Sequence, residues 1–413
     1  MPLIDRDYLR RAALARVNVG MLPAVPSDYD TKLDPDEEAA FQQWKAQVAP
    51  NDSGEDYDLR GAWKAGLSKD ADTGHMADTY KKPNHPTFSD QSQYAIGADA
   101  PKRILTNAEL EKMVETSDEW IVQRTGIRER HIVEDGEGPS DLAVRAAQQA
   151  MERAQVPPEE IDFIVVGTTA GDMHFPTTAN LVQHRLGCRN AGSVDVYAAC
   201  SGSVYSLSIG AQYVQTGKYR TVLCIGAECL SRITDFTDRG TCILLADAAG
   251  AAVLRPAADG NGIIDTDLYS DGRYGELLIQ PAGGSLHPAN HETVDQRLHY
   301  AKMKGNEVFK VAVRMFGECA ERILKNNGFT AADLDLFVPH QANLRIIEAA
   351  VKRLKVPMER VMVNVERYGN TGAASVYVAL EEAWATGRVK PGDLILLAAF
   401  GGGFTWGAAL LRW

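Results

Sequence analysis

Apolar residues in the region 93–413 fall in short continuous runs that alternate with amphipathic segments. Three of these runs are IDFIVVGT at 161–168, SVDVYAA at 193–199 and TVLCIGA at 221–227. Continuous apolar runs of this length, separated by helix-like segments, are typical of parallel strands covered on both faces. The pattern predicts an α/β fold.

Polar signals between the runs indicate where helices begin. Thr106 and Glu109 have the spacing of a capping box and predict a helix through Val114. Ser140 begins a second predicted helix that runs to about Ala154.

The second half of this region repeats the order of the first. IDFIVVG at 161–167 is echoed by LDLFVPH at 334–340, an offset of 173, and a Thr-Gly pair at 216–217 is echoed at 386–387, an offset of 170. We therefore expect two duplicated βαβ-rich halves, related by a pseudo-two-fold axis.

The repeat also relates three chemically interesting residues. An offset of 170 carries Cys200 to Asn370, and an offset of 173 carries Gly167 to His340. Each lies just after a predicted strand, where open α/β sheets gather ligands and catalytic groups. The symmetry predicts that these loops meet at one centre.

Residues 1–92 have a different composition. They are rich in Asp, Lys, Pro, Ser and Gly, with few apolar residues to offset the entropy of ordering. We expect a largely extended or disordered extension, with short helices near 9–17 and 37–48. The predicted domains are this extension, a first half at 93–260 and a second half at 261–413.

Composition excludes several other classes of protein. The 413 residues carry a net charge of −12, which argues against nucleic acid as the main partner. No run of about eighteen apolar residues predicts a membrane span, and the N-terminus lacks the apolar stretch of a secretory signal. The six cysteines show no metal-binding spacing, so we expect no metal site and a reduced, cytoplasmic setting.

Cys200, His340 and Asn370 are the candidate catalytic residues. Cys200 stands between a strand and a predicted helix, whose dipole is expected to lower the pKa of the thiol. His340 follows an apolar strand and can donate or accept a proton. Taken singly, a packed core cysteine, a structural histidine and a turn asparagine remain open alternatives.

Two further motifs suggest binding functions. Gly401–Gly403 are either a tight turn or a source of backbone N–H groups for an oxyanion. Trp120 and Arg124 have helical spacing, which fits surface packing or recognition of adenine and phosphate.

At these residues the chain resembles the β-ketoacyl-[acyl-carrier-protein] synthase III family, which has the thiolase fold. The resemblance covers residues from about 95 to 413 and includes DRGTC, GNEVFKVAV, HQANLRII, GNTGAASV and FGGGFTWG. It implies a layered α-β-α-β-α arrangement and a decarboxylative condensation of an acyl-CoA primer with malonyl-acyl carrier protein, which initiates fatty acid synthesis.

The resemblance also implies catalytic roles. Cys200 would be the acylated nucleophile, and His340 and Asn370 would hydrogen-bond the carbonyl of the malonyl thioester. The backbone N–H groups of Cys200 and Gly402 would form the oxyanion hole. Acyl-CoA would be a substrate, so no cofactor is expected.

Binding residues carry over in the same way. Those implied for CoA are Trp120, Arg124, Thr125, Arg239, Phe309 and Asn343, with adenine between Trp120 and Arg239. Those implied for the acyl pocket are Leu244, Leu245 and Phe175, the last reaching into a partner subunit and so implying a homodimer. A basic patch of Lys310, Arg345, Lys352 and Arg353 would receive the carrier protein, although a solvated helix face explains it equally well.

Three departures from the family pattern affect these expectations. Its GDGAG motif reads Ala246 to Gly250 here, with added methyl groups where glycine dihedrals are expected. Ser203 and Leu245 replace aromatic residues and suggest an altered pocket. The extension is expected to replace most of the first strand, since only residues 94–96 are apolar there.

Two alternative functions remain at this level. One is a condensing enzyme that uses only CoA substrates, as in type III polyketide synthases or hydroxymethylglutaryl-CoA synthase. The other is a catalytically impaired fusion protein in which residues 1–92 bind a partner.

Overall fold

The computed structural model describes Ala39, Gln42 and residues 95–257 and 261–413. The chain divides into two compact units, Met1–His85 and Pro86–Trp413. Ala39 and Gln42 are helical and lie within the helix predicted at 37–48. The other predictions for residues 1–92 fall outside the described residues.

The second unit alternates strands and helices. The strands are β1 Ala95–Asp99, β2 Ile104–Thr106, β3 Glu129–His131, β4 Phe163–Gly167, β5 Gly192–Val196, β6 Val222–Cys229, β7 Asp247–Leu254, β8 Gly262–Ser270, β9 Leu278–Ile279, β10 Lys302–Met303, β11 Leu336–Pro339, β12 Leu394–Gly401 and β13 Thr405–Arg412. The α-helices are α1 Asn107–Leu110, α2 Asp118–Thr125, α3 Pro139–Ala154, α4 Thr178–Leu186, α5 Gly202–Gln215, α6 Arg239–Cys242, α7 His291–Asp295, α8 Gly305–Asn326, α9 Leu344–Leu354, α10 Val365–Tyr368 and α11 Ser375–Ala385.

Two mixed sheets form the framework. The first has the order β1-β7-β6-β4-β5, and the second has the order β11-β12-β13-β8. As the apolar runs predicted, β4, β5 and β6 are parallel, and β11 is parallel to β12. The strands β7, β13, β1 and β8 pair antiparallel with their neighbours.

Three apolar clusters fill the spaces between the layers. The central cluster joins the two sheets through α5 and α11, and contains Val165, Val204, Val376 and Leu397. A second cluster packs α3 and α4 on the outer face of the first sheet, and a third packs α8 and α9 on the outer face of the second. The expected α-β-α-β-α layering is thereby formed, with α5 and α11 in the middle layer.

The internal repeat has nearly the predicted register. β4 and β11 begin 336 − 163 = 173 residues apart, and β6 and β12 begin 394 − 222 = 172 apart. The 3-10 turns before α5 and α11, Ala199–Ser201 and Gly372–Ala374, are again 173 apart. The structural counterpart of Cys200 is therefore Ala373, and Asn370 lies three residues before that position.

The expectation that the first strand is lost was wrong. Ala95–Asp99 form β1, which pairs antiparallel with β7 from Ala95↔Val253 to Asp99↔Ala249. Gly97 lets this strand approach α3, because a Cβ there would lie 2.2 Å from the Ala146 carbonyl oxygen. Ala95 and Ile96 are buried against the sheet, so few apolar residues suffice for a short edge strand.

The altered GDGAG motif also keeps its local geometry. Neither Ala246 nor Ala248 has a positive φ, so their methyl groups cause no backbone strain. Close packing requires glycine at Gly250, where a Cβ would lie 2.4 Å from the Tyr377 Cβ.

Local predictions were confirmed with one change of length. The capping box of Thr106 and Glu109 is formed, but α1 ends at Leu110 rather than Val114. The second predicted helix is α3, which ends at Ala154. Among the described residues, no helix is long and apolar enough to cross a membrane.

Candidate active site

Cys200 lies in a strained turn between β5 and α5. The preceding residue, Ala199, has a φ of +44°, which is unfavourable for a residue with a side chain. Hydrogen bonds to β13 hold the turn: the Thr405 hydroxyl donates to the Ala198 carbonyl at 2.6 Å, and the Ser201 hydroxyl donates to the Thr405 carbonyl at 3.0 Å. These bonds fix the backbone that carries the thiol.

The thiol of Cys200 does not have the lowered pKa expected from its position. Burial raises the pKa of Cys200 to about 12, and the Glu228 carboxyl acts in the same direction. A helix dipole is worth about 0.3–1 kcal/mol, which is small beside the cost of taking a thiolate out of water. Desolvation therefore outweighs the dipole, and the resting group is a thiol.

His340 directly follows β11 and is buried. Its ring packs edge-on against Phe400 at 5.6 Å, and burial lowers its pKa to about 3, so the imidazole is neutral. The Ser375 Oγ accepts the Gln341 N–H at 3.4 Å and lies 2.5 Å from His340 Nδ1. From this network we assign the serine proton to Nδ1, which leaves Nε2–H as a donor for a ligand.

Hydrogen bonds hold both the backbone and the side chain of Asn370. Its backbone N–H donates to the Leu244 carbonyl at 2.8 Å, and its carbonyl accepts the Ala246 N–H at 2.9 Å. Its Oδ1 accepts the N–H of Gly372 at 3.0 Å. The carbonyl end of the side chain is thus engaged, and the Nδ2 end is the donor that remains for a ligand.

A chain of close contacts brings the three residues to one edge. Gly401, at the end of β12, lies so close to Cys200 that a Cβ there would be 2.5 Å from the Cys200 nitrogen. Its neighbour Phe400 contacts His340. Gly202 lies against Ala373 in the turn that follows Asn370. The predicted meeting of the strand ends is therefore formed.

For the triple-glycine segment, the first interpretation, a tight turn between strands, is confirmed. It is the turn of the β12–β13 hairpin, in which Gly401 pairs with Thr405. Because Gly401 also lies against the Cys200 nitrogen, the turn begins beside Cys200, and the oxyanion role of Gly402 stays a prediction.

The residues implied for CoA form a surface cluster around Trp120. The guanidinium groups of Arg124 and Arg239 lie 4.6 and 4.7 Å from its ring centroid, and Arg239 also donates to the Glu115 carbonyl at 2.7 Å. Asn343 donates to the Arg124 carbonyl at 3.1 Å. Because Arg239 contacts Trp120 directly, adenine can enter between them only if Arg239 moves.

Two other residues of the CoA group have separate environments. Thr125 is buried, and its hydroxyl donates to the Ile121 carbonyl at 2.7 Å and accepts the Ile127 N–H at 3.0 Å. Phe309 lies 5.3 Å from the guanidinium of Arg345. The hydroxyl of Thr125 therefore supports the local backbone.

The basic patch is exposed but partly neutralised. Lys310, Arg345, Lys352 and Arg353 are all exposed. Arg353 forms a 2.9 Å ion pair with Glu321 and lies 3.7 Å from Glu318, so it also links α9 to α8. Its charge is less available to a partner than the sequence suggests.

The acyl-pocket residues divide between interior and surface. Leu244 and Leu245 are half-buried, and Leu245 forms a bridge with Asn370. Phe175 is 85% exposed, in a loop whose His174 Nε2 lies 3.0 Å from the Gly283 carbonyl oxygen. Among the described residues of this chain, Phe175 does not contribute to a closed pocket.

The sequence interpretation missed Glu228 and Ser375. Glu228 is a carboxylate inside the apolar strand β6, and it is fully buried. A charged residue in such a run is the signal that would have revealed it. Ser375, which orients His340, has no comparable signal. In residues 95–257 and 261–413, no group of three or more acidic, His or Cys side chains could hold a metal ion.

Comparisons with known proteins identify the family. A family model described as 3-oxoacyl-[acyl-carrier-protein] synthase III matches residues 194–272, and its C-terminal counterpart matches 324–413. The β-ketoacyl-[acyl-carrier-protein] synthase III of Caldanaerobacter subterraneus subsp. tengcongensis is 50% identical over 317 residues, which are 77% of this chain and 96% of the relative. That of Xanthomonas euvesicatoria pv. vesicatoria is 53% identical over the same shares of both chains.

A solved structure agrees with this assignment. The crystal structure of 3-oxoacyl-[acyl-carrier-protein] synthase III from Aquifex aeolicus has 44% sequence identity and a TM-score of 0.72, covering 78% of this chain and 99% of that one. The chain belongs to the β-ketoacyl-[acyl-carrier-protein] synthase III family and is a condensing acyltransferase with the thiolase fold.

Proposed function

We propose that this enzyme condenses an acyl-CoA primer with malonyl-acyl carrier protein to give a β-ketoacyl-carrier protein, the first condensation of fatty acid synthesis. The observation that carries the proposal is the convergence of a thiol with two neutral donors, His340 Nε2–H and Asn370 Nδ2–H. Neutral donors stabilise an enolate without binding the malonate carboxylate tightly.

In the first half-reaction, Cys200 takes the acyl group from CoA. The sulfur attacks the thioester carbon, the bond to the CoA sulfur breaks, and the thiol proton leaves with CoA as its thiol. The backbone N–H groups of Cys200 and Gly402 are proposed to stabilise the tetrahedral oxyanion. Because the resting thiol is protonated, proton loss accompanies acylation rather than preceding it.

In the second half-reaction, the malonyl thioester loses carbon dioxide. The electron pair of the broken C–C bond forms an enolate, whose oxygen accepts hydrogen bonds from His340 and Asn370. The enolate carbon attacks the acyl-Cys200 thioester, and the released sulfur of Cys200 regains a proton. No step requires a cofactor.

The binding roles are proposed on the same basis. The residues proposed to bind CoA are Trp120, Arg124, Arg239, Phe309 and Asn343. Thr125 is proposed to support the backbone of α2. The exposed residues Lys310, Arg345, Lys352 and Arg353 are proposed to meet the acidic carrier protein. Six free cysteines fit the reducing cytoplasm as the compartment.

A homodimer is proposed from the exposed end of the first sheet. β5 is the terminal strand there. Tyr197 directly follows it and is 64% exposed, and Phe175, in the loop before α4, is 85% exposed. Large exposed aromatic residues near a strand whose outer edge has no partner among the described residues are typical of an interface. Phe175 would then line the acyl pocket of the partner.

Mass spectrometry after incubation with acyl-CoA tests the mechanism. We expect one acyl adduct on Cys200, and none in Cys200→Ala. A folded protein without an adduct would refute the mechanism.

Competition between malonyl-CoA and malonyl-carrier protein tests which malonyl thioester the enzyme uses. A preference for malonyl-CoA would favour the alternative of a CoA-only condensing enzyme.

A further inference from the structure

Glu228 is a buried carboxylate that the proposed mechanism does not use. It lies in β6 and is 0% exposed. Its hydrogen-bond partners in the described part of the chain are peptide and hydroxyl groups, without a basic side chain. Burying a carboxylate costs free energy unless its oxygens accept hydrogen bonds. The role of Glu228 can therefore be inferred from the groups that donate to it.

Four donors from two segments converge on this carboxylate. The Thr169 N–H lies 3.0 Å from both oxygens, and the Ala170 N–H donates to Oε2 at 3.1 Å. The Thr169 hydroxyl and the N–H of Ala373 also interact with it. Thr169 and Ala170 begin the loop after β4, whereas Ala373 belongs to the turn that follows Asn370.

The contact with the second segment leads directly to Asn370. Gly372 has a φ of +53° and lies against Glu228, since a Cβ there would be 3.2 Å from Oε1. The N–H of Gly372 holds Asn370 Oδ1 at 3.0 Å. The turn that orients the asparagine amide therefore rests on the Glu228 side chain.

We infer that Glu228 is a positioning residue: its carboxylate ties the loop after β4 to the Asn370 turn and thereby aims the asparagine amide at the malonyl thioester. This inference rests on the proposed role of Asn370. Only an acceptor without protons can satisfy four donors, so a glutamine, which has a donor end, fits this site poorly. Burial raises the pKa of Glu228 to about 7, and the N–H donors oppose that shift.

The test compares Glu228→Gln with Glu228→Asp at about pH 8, where the carboxylate prevails. We expect Glu228→Gln to slow release of carbon dioxide from malonyl-carrier protein by at least about tenfold, because small misplacements of a reacting group are costly. Glu228→Asp keeps the acceptor and is expected to retain more activity than Glu228→Gln. Alkylation of Cys200 by iodoacetamide is expected to continue in both variants.

A double-mutant cycle separates positioning from a general structural effect. In an Asn370→Ala background, Glu228→Gln is expected to cause little further loss, because its effect passes through the asparagine. The inference would be overturned if Glu228→Gln lowered the decarboxylation rate equally in the parent and Asn370→Ala backgrounds, or if Glu228→Gln alone caused no loss. If Asn370→Ala alone left decarboxylation intact, the proposed function of Asn370 would fail instead.

Asp162→Asn is the matched control. Asp162 accepts the N–H groups of Arg220 and Thr221 at 2.8 and 3.0 Å, and lies before the amino end of β4, away from the Asn370 turn. Its replacement also removes a carboxylate that joins two segments. We expect decarboxylation close to that of the parent enzyme, and a loss as large as in Glu228→Gln would contradict the assigned path.

Discussion

The two halves of the enzyme differ at the outer end of their sheets. In the Cys200 half, β5 pairs fully with β4 and is the terminal strand, with Val194 38% exposed. In the His340 half, the place beside β11 is held by a single bridge between Phe337 and Val361, and Val361 is buried. Among the described residues, one edge is thus open to further pairing and the other is closed. The difference explains how a duplicated fold can leave one half free for an interface.

The halves also divide the chemistry. In the proposed mechanism, the first supplies the nucleophile from a strained turn, and the second supplies two neutral donors. The turns before α5 and α11 are equivalent, yet Cys200 lies within its turn and Asn370 lies just before the other. Duplication therefore places the two groups at corresponding turns of the two halves without making them equivalent.

The sharpest test of this division separates the two half-reactions. Cys200→Ala should abolish acylation while malonyl decarboxylation continues. His340→Ala and Asn370→Ala should each lower decarboxylation by about 10²–10³-fold, as expected for loss of an oxyanion donor, while the acyl adduct on Cys200 still forms. Adduct mass and carbon dioxide release measure the two steps. If either donor variant lost both steps together, the division would be wrong.

Gly401→Ala tests the contact at which the halves meet. The added methyl group would lie 2.5 Å from the Cys200 nitrogen, and backbone cannot yield there without moving the nucleophile. We expect acylation to slow by about tenfold to a hundredfold, with a lowered Tm.

Gly272→Ala is the control for that variant, because nothing lies within 4 Å of the added methyl group and its φ is ordinary. Stopped-flow acylation and calorimetry compare the two proteins. Equal behaviour of both variants would show that the Gly401 contact is not important.

Val194→Lys tests the open edge. A charge on β5 should weaken association and raise the dimer Kd by at least about tenfold, as measured by sedimentation. Ile104→Lys changes a similarly exposed apolar residue, at 39%, in β2 and should leave association unchanged. A parent protein that is monomeric at micromolar concentration would remove the basis of the homodimer proposal.

The smallest effect concerns pH and the neutral His340. Its pKa of about 3 in the folded protein lies below the ordinary 6.5, so the decarboxylation rate should show no inflection near 6.5 from this residue. The unfolded state binds the proton first as pH falls from 6.5 towards 3, so the free energy of unfolding should fall over that range. His340→Gln should lose this part of the acid sensitivity in denaturant titrations. If the free energy of unfolding of His340→Gln varied with pH as in the parent enzyme, the imidazole of His340 would be charged or exposed.

Much of the fold followed from local pattern. The apolar runs predicted β4, β5 and β6 and their parallel pairing, because strands buried on both faces need continuous apolar residues. The repeat predicted that Cys200, His340 and Asn370 come together. The first strand was missed because Ala95–Asp99 carry a weak signal and are stabilised by β7 and α3.

The sequence by itself determined the elements, the duplicated order and the choice of candidate reacting groups, since these depend on residue type and spacing along the chain. Only the tertiary structure decided their chemical state. Burial makes Cys200 a resting thiol and His340 a neutral donor. Folding also places four donors from two distant segments around Glu228. Desolvation depends on which segments cover a group, and those segments lie far away along the chain.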